Sequence, residues 1–195
     1  FWLVVIATIP ALIAGYLLKE HGTECFRSTK LIGWTILGFG ILLFAADRIG
    51  MTIRKVSHLS VLDAVLIGLA QCLALIPGTS RSGITITMER FLGMERREAA
   101  KFSMLLSIPT IAAAGLLVGF ELYQGGNIKE LITAFDGVLY SFVFSIIAIY
   151  VMMWWLKKST FLPFVLYRIA LGSALLLDAY GYIHICLLYT SDAAD

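Results

Sequence analysis

Residues 61–92 read VLDAVLIGLAQCLALIPGTSRSGITITMERFL, and how this stretch meets a membrane decides the fold. Two apolar halves, Val61–Ile76 and Ile84–Leu92, flank Pro77-Gly78 and the polar cluster Thr79-Ser80-Arg81-Ser82-Gly83. At 1.5 Å per residue, each half is too short to cross a hydrocarbon core of about 30 Å alone. Irregular backbone at membrane depth is tolerated only where it is buried in protein or lines a wet cavity. The stretch therefore reads as a re-entrant hairpin, 61–92, with its polar tip inside the membrane. A loop on the aqueous side between two poor helices is the alternative.

The rest of the chain makes a membrane the right setting. Of its 195 residues, 59% are hydrophobic and 14% charged, against about 45–50% and 25% in soluble domains. That excludes a soluble globular enzyme, a disordered chain and a nucleic-acid binder. The net charge of +2 is too small to call for a polyanionic partner. Five further apolar runs are long enough to span: Phe1–Leu18, Leu31–Ala46, Phe102–Phe120, Leu131–Leu156 and Phe161–Ile183. The expected architecture is an all-α polytopic membrane protein, with five spanning helices and one re-entrant hairpin over residues 1–183. The polar end of 184–195 does not continue the pattern and reads as a frayed terminus or a foreign junction. Phe1 is not an initiator Met, and no basic n-region or cleavage site follows it. The chain reads as a fragment that starts in or just before a membrane helix.

Glycines provide close-packing surfaces: Gly115 and Gly119 as a GxxxG pair, and Gly33, Gly38 and Gly40 on the second run. Pro10 and Pro109 fall inside spans, where they are expected to kink them. With the hairpin entering and leaving on one side, nine cations gather there: Arg48, Arg54, Lys55, Arg90, Arg96, Arg97, Lys101, Lys157 and Lys158. Four, Lys19, Arg27, Lys30 and Lys129, fall opposite. The positive-inside rule puts the larger set in the cytoplasm. Cys25, Cys72 and Cys186 make no CxxC pair and read as packing residues.

The tip carries the chemistry. A guanidinium in the membrane interior is costly and usually marks function. Arg81 lies between two serines, with Thr79 close by and Gly78 and Gly83 letting backbone amides approach a ligand. A helix reading from Ile84 onward adds free N–H groups and a positive dipole end. Fixed charge, hydroxyls and amides together suit an anion, and phosphate or diphosphate best matches the bidentate fork of arginine. A plain polar turn with a snorkelling arginine is the bland alternative. A transporter or flippase for an anionic or lipid-linked substrate would use the same features as an enzyme on a lipid phosphate.

Gln71 to Ile86, QCLALIPGTSRSGITI, resembles the second signature of the undecaprenyl-diphosphate phosphatases of the bacitracin-resistance type. Phe161–Arg168 (FLPFVLYR) is similar to that family's C-terminal helix opening, and Glu98–Ser103 through Pro109 is similar as well. The resemblance covers residues 1–183. It implies six spanning helices and two re-entrant hairpins in an inverted repeat, of which this chain would hold the C-terminal part. It implies hydrolysis of undecaprenyl diphosphate in the bacterial plasma membrane, with a polyprenyl diphosphate lipid as partner and a homodimer left open. Arg81 and Ser80 take the catalytic assignments, Arg81 clamping the diphosphate and Ser80 donating to it. Thr79, Ser82 and Thr85 would add hydrogen bonds, Gly78 and Gly83 close approach, and Gln71 a place in the cavity wall. Gln71 bonding only a neighbouring helix is an equal alternative. The family also implies a divalent cation, Mg or Ca. Its glutamate pair, serine and histidine match no segment here, so the metal ligands are expected upstream of residue 1.

Other polar residues take structural readings. Asp63 reads as a helix cap, Asp136 and Asp178 as interfacial, and Glu89 and Arg90 as residues of the cytoplasmic mouth. His58 reads as solvated. Arg168 reads as snorkelling or paired with an acid. Trp154, Trp155, Lys157 and Lys158 read as an interfacial belt. The lipid phosphatases with a Ser-Gly-His box are a poor match, because no such tripeptide occurs.

Overall fold

A computed structural model describes residues 1–21, 28–50, 53–124 and 128–181. It is helical throughout: α1 (Trp2–His21), α2 (Thr29–Ile49), α3 (Val61–Cys72), α4 (Arg81–Phe91), α5 (Arg96–Gln124), α6 (Ile128–Trp155) and α7 (Leu162–Ala179). Four stretches are long and apolar enough to cross a membrane: Thr29–Ile49, Arg96–Phe120, Gly137–Trp155 and Leu162–Ala179. This is a multi-pass membrane protein. The first expected span is apolar over Trp2–Leu18 but falls in the shorter class, as does Val61–Leu75. The expected tail, 184–195, lies outside the described residues.

Glycine contacts set the helix directions. The Gly68 Cα faces the Ala7 carbonyl so closely that a Cβ there would lie 2.6 Å from it, and Gly15 faces Leu75, so α3 runs parallel to α1. Gly33 meets Leu176 and Gly40 meets Arg168, so α7 runs antiparallel to α2. Gly78 meets Thr35 while Gly50 meets the Arg90 carbonyl, so α4 runs parallel to α2. Gly33 and Gly40 thus serve as the expected close-packing surfaces. Gly38, Gly115 and Gly119 have no such neighbour within 4 Å among the described residues. A GxxxG spacing permits close approach but does not create a partner.

α3 and α4 form the hairpin, and its two ends are tied together. Ser60 caps α3 in a box with Asp63, the Ser60 amide donating to the Asp63 carboxylate at 2.8 Å. Asp63 is thus the acidic member of the cap, and it accepts from Arg54 at 2.5 Å. The same Arg54 donates to the Leu92 carbonyl just past α4, at 3.0 Å. Residues 53–55 lie along 93–95, with the Arg54 amide donating to Gly93 and the Glu95 amide to Arg54. Entry and exit therefore share one end of the bundle. The tip sits beside Thr35, whose hydroxyl donates to the Pro77 carbonyl at 2.7 Å. That is about 20 Å along α2 from Ile49.

Arg90 locks the hairpin exit. Its side chain is fully buried and donates to the carbonyls of Met94, Asp47 (3.2 Å) and Gly50 (2.9 Å). The Asp47 carboxylate takes Arg90 at 3.3 Å and Arg96 at 2.7 Å. Glu89 is also fully buried. Neither residue sits in an open mouth. Burial is possible for Arg90 because α2 and its C-cap Gly50 supply an acid and two carbonyls, a partner set from 40 residues away that local sequence does not reveal.

Candidate functional site

The helix that follows the tip starts earlier than its composition suggests. α4 begins at Arg81 rather than Ile84, with Ser80 as N-cap, its hydroxyl accepting from the Gly83 amide at 3.3 Å. Arg81, Ser82 and Gly83 thus form the first helical turn. The amides of Ser80, Arg81 and Ser82 have no acceptor among the described residues, and the helix dipole adds positive potential there. Ser80 accepts through its oxygen, so its proton stays free to donate.

Backbone strain marks the same place. Gly78 has φ +89°, and a Cβ on it would lie 2.4 Å from the Thr35 hydroxyl, so only glycine fits. Ser80 has φ 67°, a conformation that side-chain-bearing residues seldom adopt and that persists where the surroundings fix it. The surroundings here are Arg168. Its Nη2 donates to the carbonyls of Gly78 (3.0 Å) and Thr79 (2.9 Å), and Nη2 and Nε both reach the Ile36 carbonyl at 3.3 Å. Arg168 therefore turns inward to the loop instead of snorkelling, and it pairs with no acid among the described residues. Sequence showed a cation about 10 Å into an apolar helix; its acceptors are main-chain carbonyls, which no sequence pattern displays.

A cavity of about 550 Å³ opens beside the tip. Gly78, Ser80, Ser82, Gly83, Ser103 and Arg168 make its polar end. Apolar side chains from α2, α4, α5 and α6 and the start of α7, among them Leu43, Met104, Met152, Phe161 and Phe164, make the rest. Placed at Gly83, a Cβ would touch both the Ser80 hydroxyl (3.1 Å) and Arg168 Nη1 (3.3 Å). The hydroxyl and the second guanidinium nitrogen thus converge on one small space, which the missing side chain keeps open.

The remaining expected site residues lie elsewhere. Arg81 is half-buried, lines no part of this cavity, and its guanidinium bonds no described residue. Thr85 is buried and shares a 2.7 Å hydrogen bond with Ser103, a residue that lines the cavity. Thr79 and Gln71 are buried off the cavity, and their side-chain polar atoms have no hydrogen-bond partner among the described residues. Of the expected set, the fold therefore gathers Gly78, Ser80, Ser82 and Gly83, adds Arg168 and Ser103, and leaves Arg81 at the helix start with no side-chain partner among the described residues.

A hard divalent cation takes several oxygen ligands, usually including carboxylates. Among the described residues no carboxylate lines this cavity, and Asp47 and Asp63 are committed to arginines. Among the described residues no group of three or more His, Cys, Asp or Glu could hold a metal ion. The residues present do not fit the expected cation.

Comparison with known proteins gives a consistent set of likenesses. A family model described as bacitracin resistance protein BacA matches residues 1–174. The chain is 49% identical over 181 residues to undecaprenyl-diphosphatase 1 of Rhodospirillum rubrum, covering 92% of this chain and 64% of that protein. It is 49% identical to an undecaprenyl-diphosphatase of Roseobacter denitrificans (91% and 67% covered) and 47% identical to one of Hahella chejuensis (92% and 67%). The chain thus spans about two thirds of the length of these relatives.

Proposed function

The chain belongs to the bacitracin resistance protein BacA family, and from that premise we propose that the whole protein hydrolyses undecaprenyl diphosphate to undecaprenyl phosphate. The relatives carry that activity in their names. The observation that carries the reading is the two-part cavity, a cation-and-hydroxyl end joined to apolar walls. An amphiphile with an anionic head and an isoprenoid tail fits both parts at once.

In this reading the terminal phosphoryl group sits at the helix start. Water attacks its phosphorus, the anhydride P–O bond breaks, and the lipid leaves as its monophosphate with inorganic phosphate as the second product. Charge spreads over the transferring phosphoryl oxygens, so positioned donors do most of the work. The amides of Ser80, Arg81 and Ser82 and the hydroxyls of Ser80 and Ser82 supply them, Arg168 holds the loop that presents them and turns its Nη1 to the same space, and Arg81, outside the cavity lining, brings its guanidinium to the phosphoryl group from the helix start. No step is assigned to a metal ion.

The membrane setting follows the same proposal: a bacterial plasma-membrane protein with α1 as a fifth span and α3–α4 as a re-entrant hairpin. Its support is that Arg54 ties both hairpin ends to one end of the bundle while the tip reaches about 20 Å along α2, some two thirds of a bilayer core. The test is phosphate release from undecaprenyl diphosphate by the whole protein in proteoliposomes. Release supports the reading; movement of intact diphosphate lipid across the bilayer without release overturns it.

A further inference from the structure

A second cavity, of about 500 Å³, lies one helical turn from the first, where α5 begins and α6 ends. Its lining includes Glu95, Arg96, Arg97, Leu156, Lys157 and Lys158. Arg96 is committed to Asp47, which pins this wall to α2. Arg97, Lys157 and Lys158 are exposed, and their side chains have no hydrogen-bond or ion-pair partner among the described residues. The lysine backbone is fixed, with the amides of Lys157 and Lys158 donating to Trp154 and Trp155 at 3.3 Å. Among the described residues Glu95 is the single carboxylate in the lining. Three unpaired cations, the positive end of the α5 dipole and a buried Leu156 floor thus converge on one polar hollow.

What stands next to it selects the ligand. Trp154 and Trp155 are exposed at the end of α6, as in an interfacial belt, and Tyr150 and Val151 continue an exposed apolar face up the same helix. We propose that this hollow binds the phosphate of an anionic phospholipid, with the acyl chains lying along α6. Basic pockets at the membrane end of helix pairs are suited to such headgroups. A soluble phosphate would gain nothing from the tryptophans and the apolar face. The site is separate from the diphosphate cavity and stands or falls independently of that activity.

The experiment is lipid retention by native mass spectrometry, on the protein equilibrated with mixed phosphatidylglycerol and phosphatidylcholine. Wild type should retain phosphatidylglycerol selectively. Each neutralised cation should weaken retention about fivefold, so Arg97→Gln/Lys157→Gln/Lys158→Gln should lose on the order of a hundredfold. Arg48→Gln/Lys55→Gln removes charge at the same end of the bundle but outside the cavity, and should retain the lipid like wild type. Should the triple variant fail to fold, Lys158→Gln alone should still show its fivefold loss. Equal retention by the triple variant, equal loss in the control pair, or displacement by excess inorganic phosphate would each overturn the proposal.

Discussion

Arg81 and Arg90 sit on the same eleven-residue helix and meet opposite environments. Arg90 is wholly buried, with three carbonyls and a carboxylate around it. Arg81, at the other end, is half-buried and bonds no described residue. A membrane protein must satisfy a buried cation, and Arg90 is satisfied by the protein itself. Arg81 is left with its donors unspent beside free amides, as a ligand-binding cation would be. Arg168 stands between these cases: one nitrogen holds the loop, and the other faces the gap above Gly83.

Variants at the satisfied end should act on stability. Arg90→Ala should cost about 3–5 kcal/mol, because Asp47 and three carbonyls lose their shared donor, and a thermal melt in detergent would read it as loss of the folded state. Glu89 is a different buried group, a carboxyl with no partner for either oxygen among the described residues. Glu89→Met should therefore stabilise by about 1–3 kcal/mol, and a lowered melting temperature would mean that the carboxyl is engaged.

At the tip the effects should appear in turnover. Arg168→Lys keeps the charge but loses the fork that spans three carbonyls, and should lower kcat/KM about tenfold with a smaller change in stability than Arg90→Ala.

The smallest effect belongs to the hairpin entry. Hydrogen bonding from Arg54, reinforced by Ser60, holds the Asp63 carboxyl below its ordinary range. Its stabilisation is present above the unfolded carboxyl pKa of about 4 and fades as pH falls through the depressed folded value. With Arg54 one-third exposed, the contribution should be under about 1 kcal/mol. Comparing the acid limb of stability in wild type and Asp63→Asn would show it.

Much of this arrangement is legible in the sequence, and the exceptions share a cause. The long apolar runs, the Pro77-Gly78 break and the hydroxyl-rich cluster around Arg81 are local patterns, and the structure keeps them as helices, turn and tip. The start of α4 was hidden because a serine-capped first turn reading Arg-Ser-Gly looks like loop. The places of Arg168 and Arg90 are not legible locally because their partners are main-chain carbonyls and Asp47, brought close only by the packing of α2 against α4 and α7. For Gln71 the sequence supports cavity wall and helix contact equally; the fold buries it away from the cavity.

The central claim, that Arg81 is held for a phosphate rather than for the fold, is tested most directly by Arg81→Ala in the whole protein, measuring phosphate release from undecaprenyl diphosphate alongside the melting temperature. The account predicts a fall in turnover of about a thousandfold at an unchanged melting temperature. Wild-type turnover in a well-folded variant would contradict it.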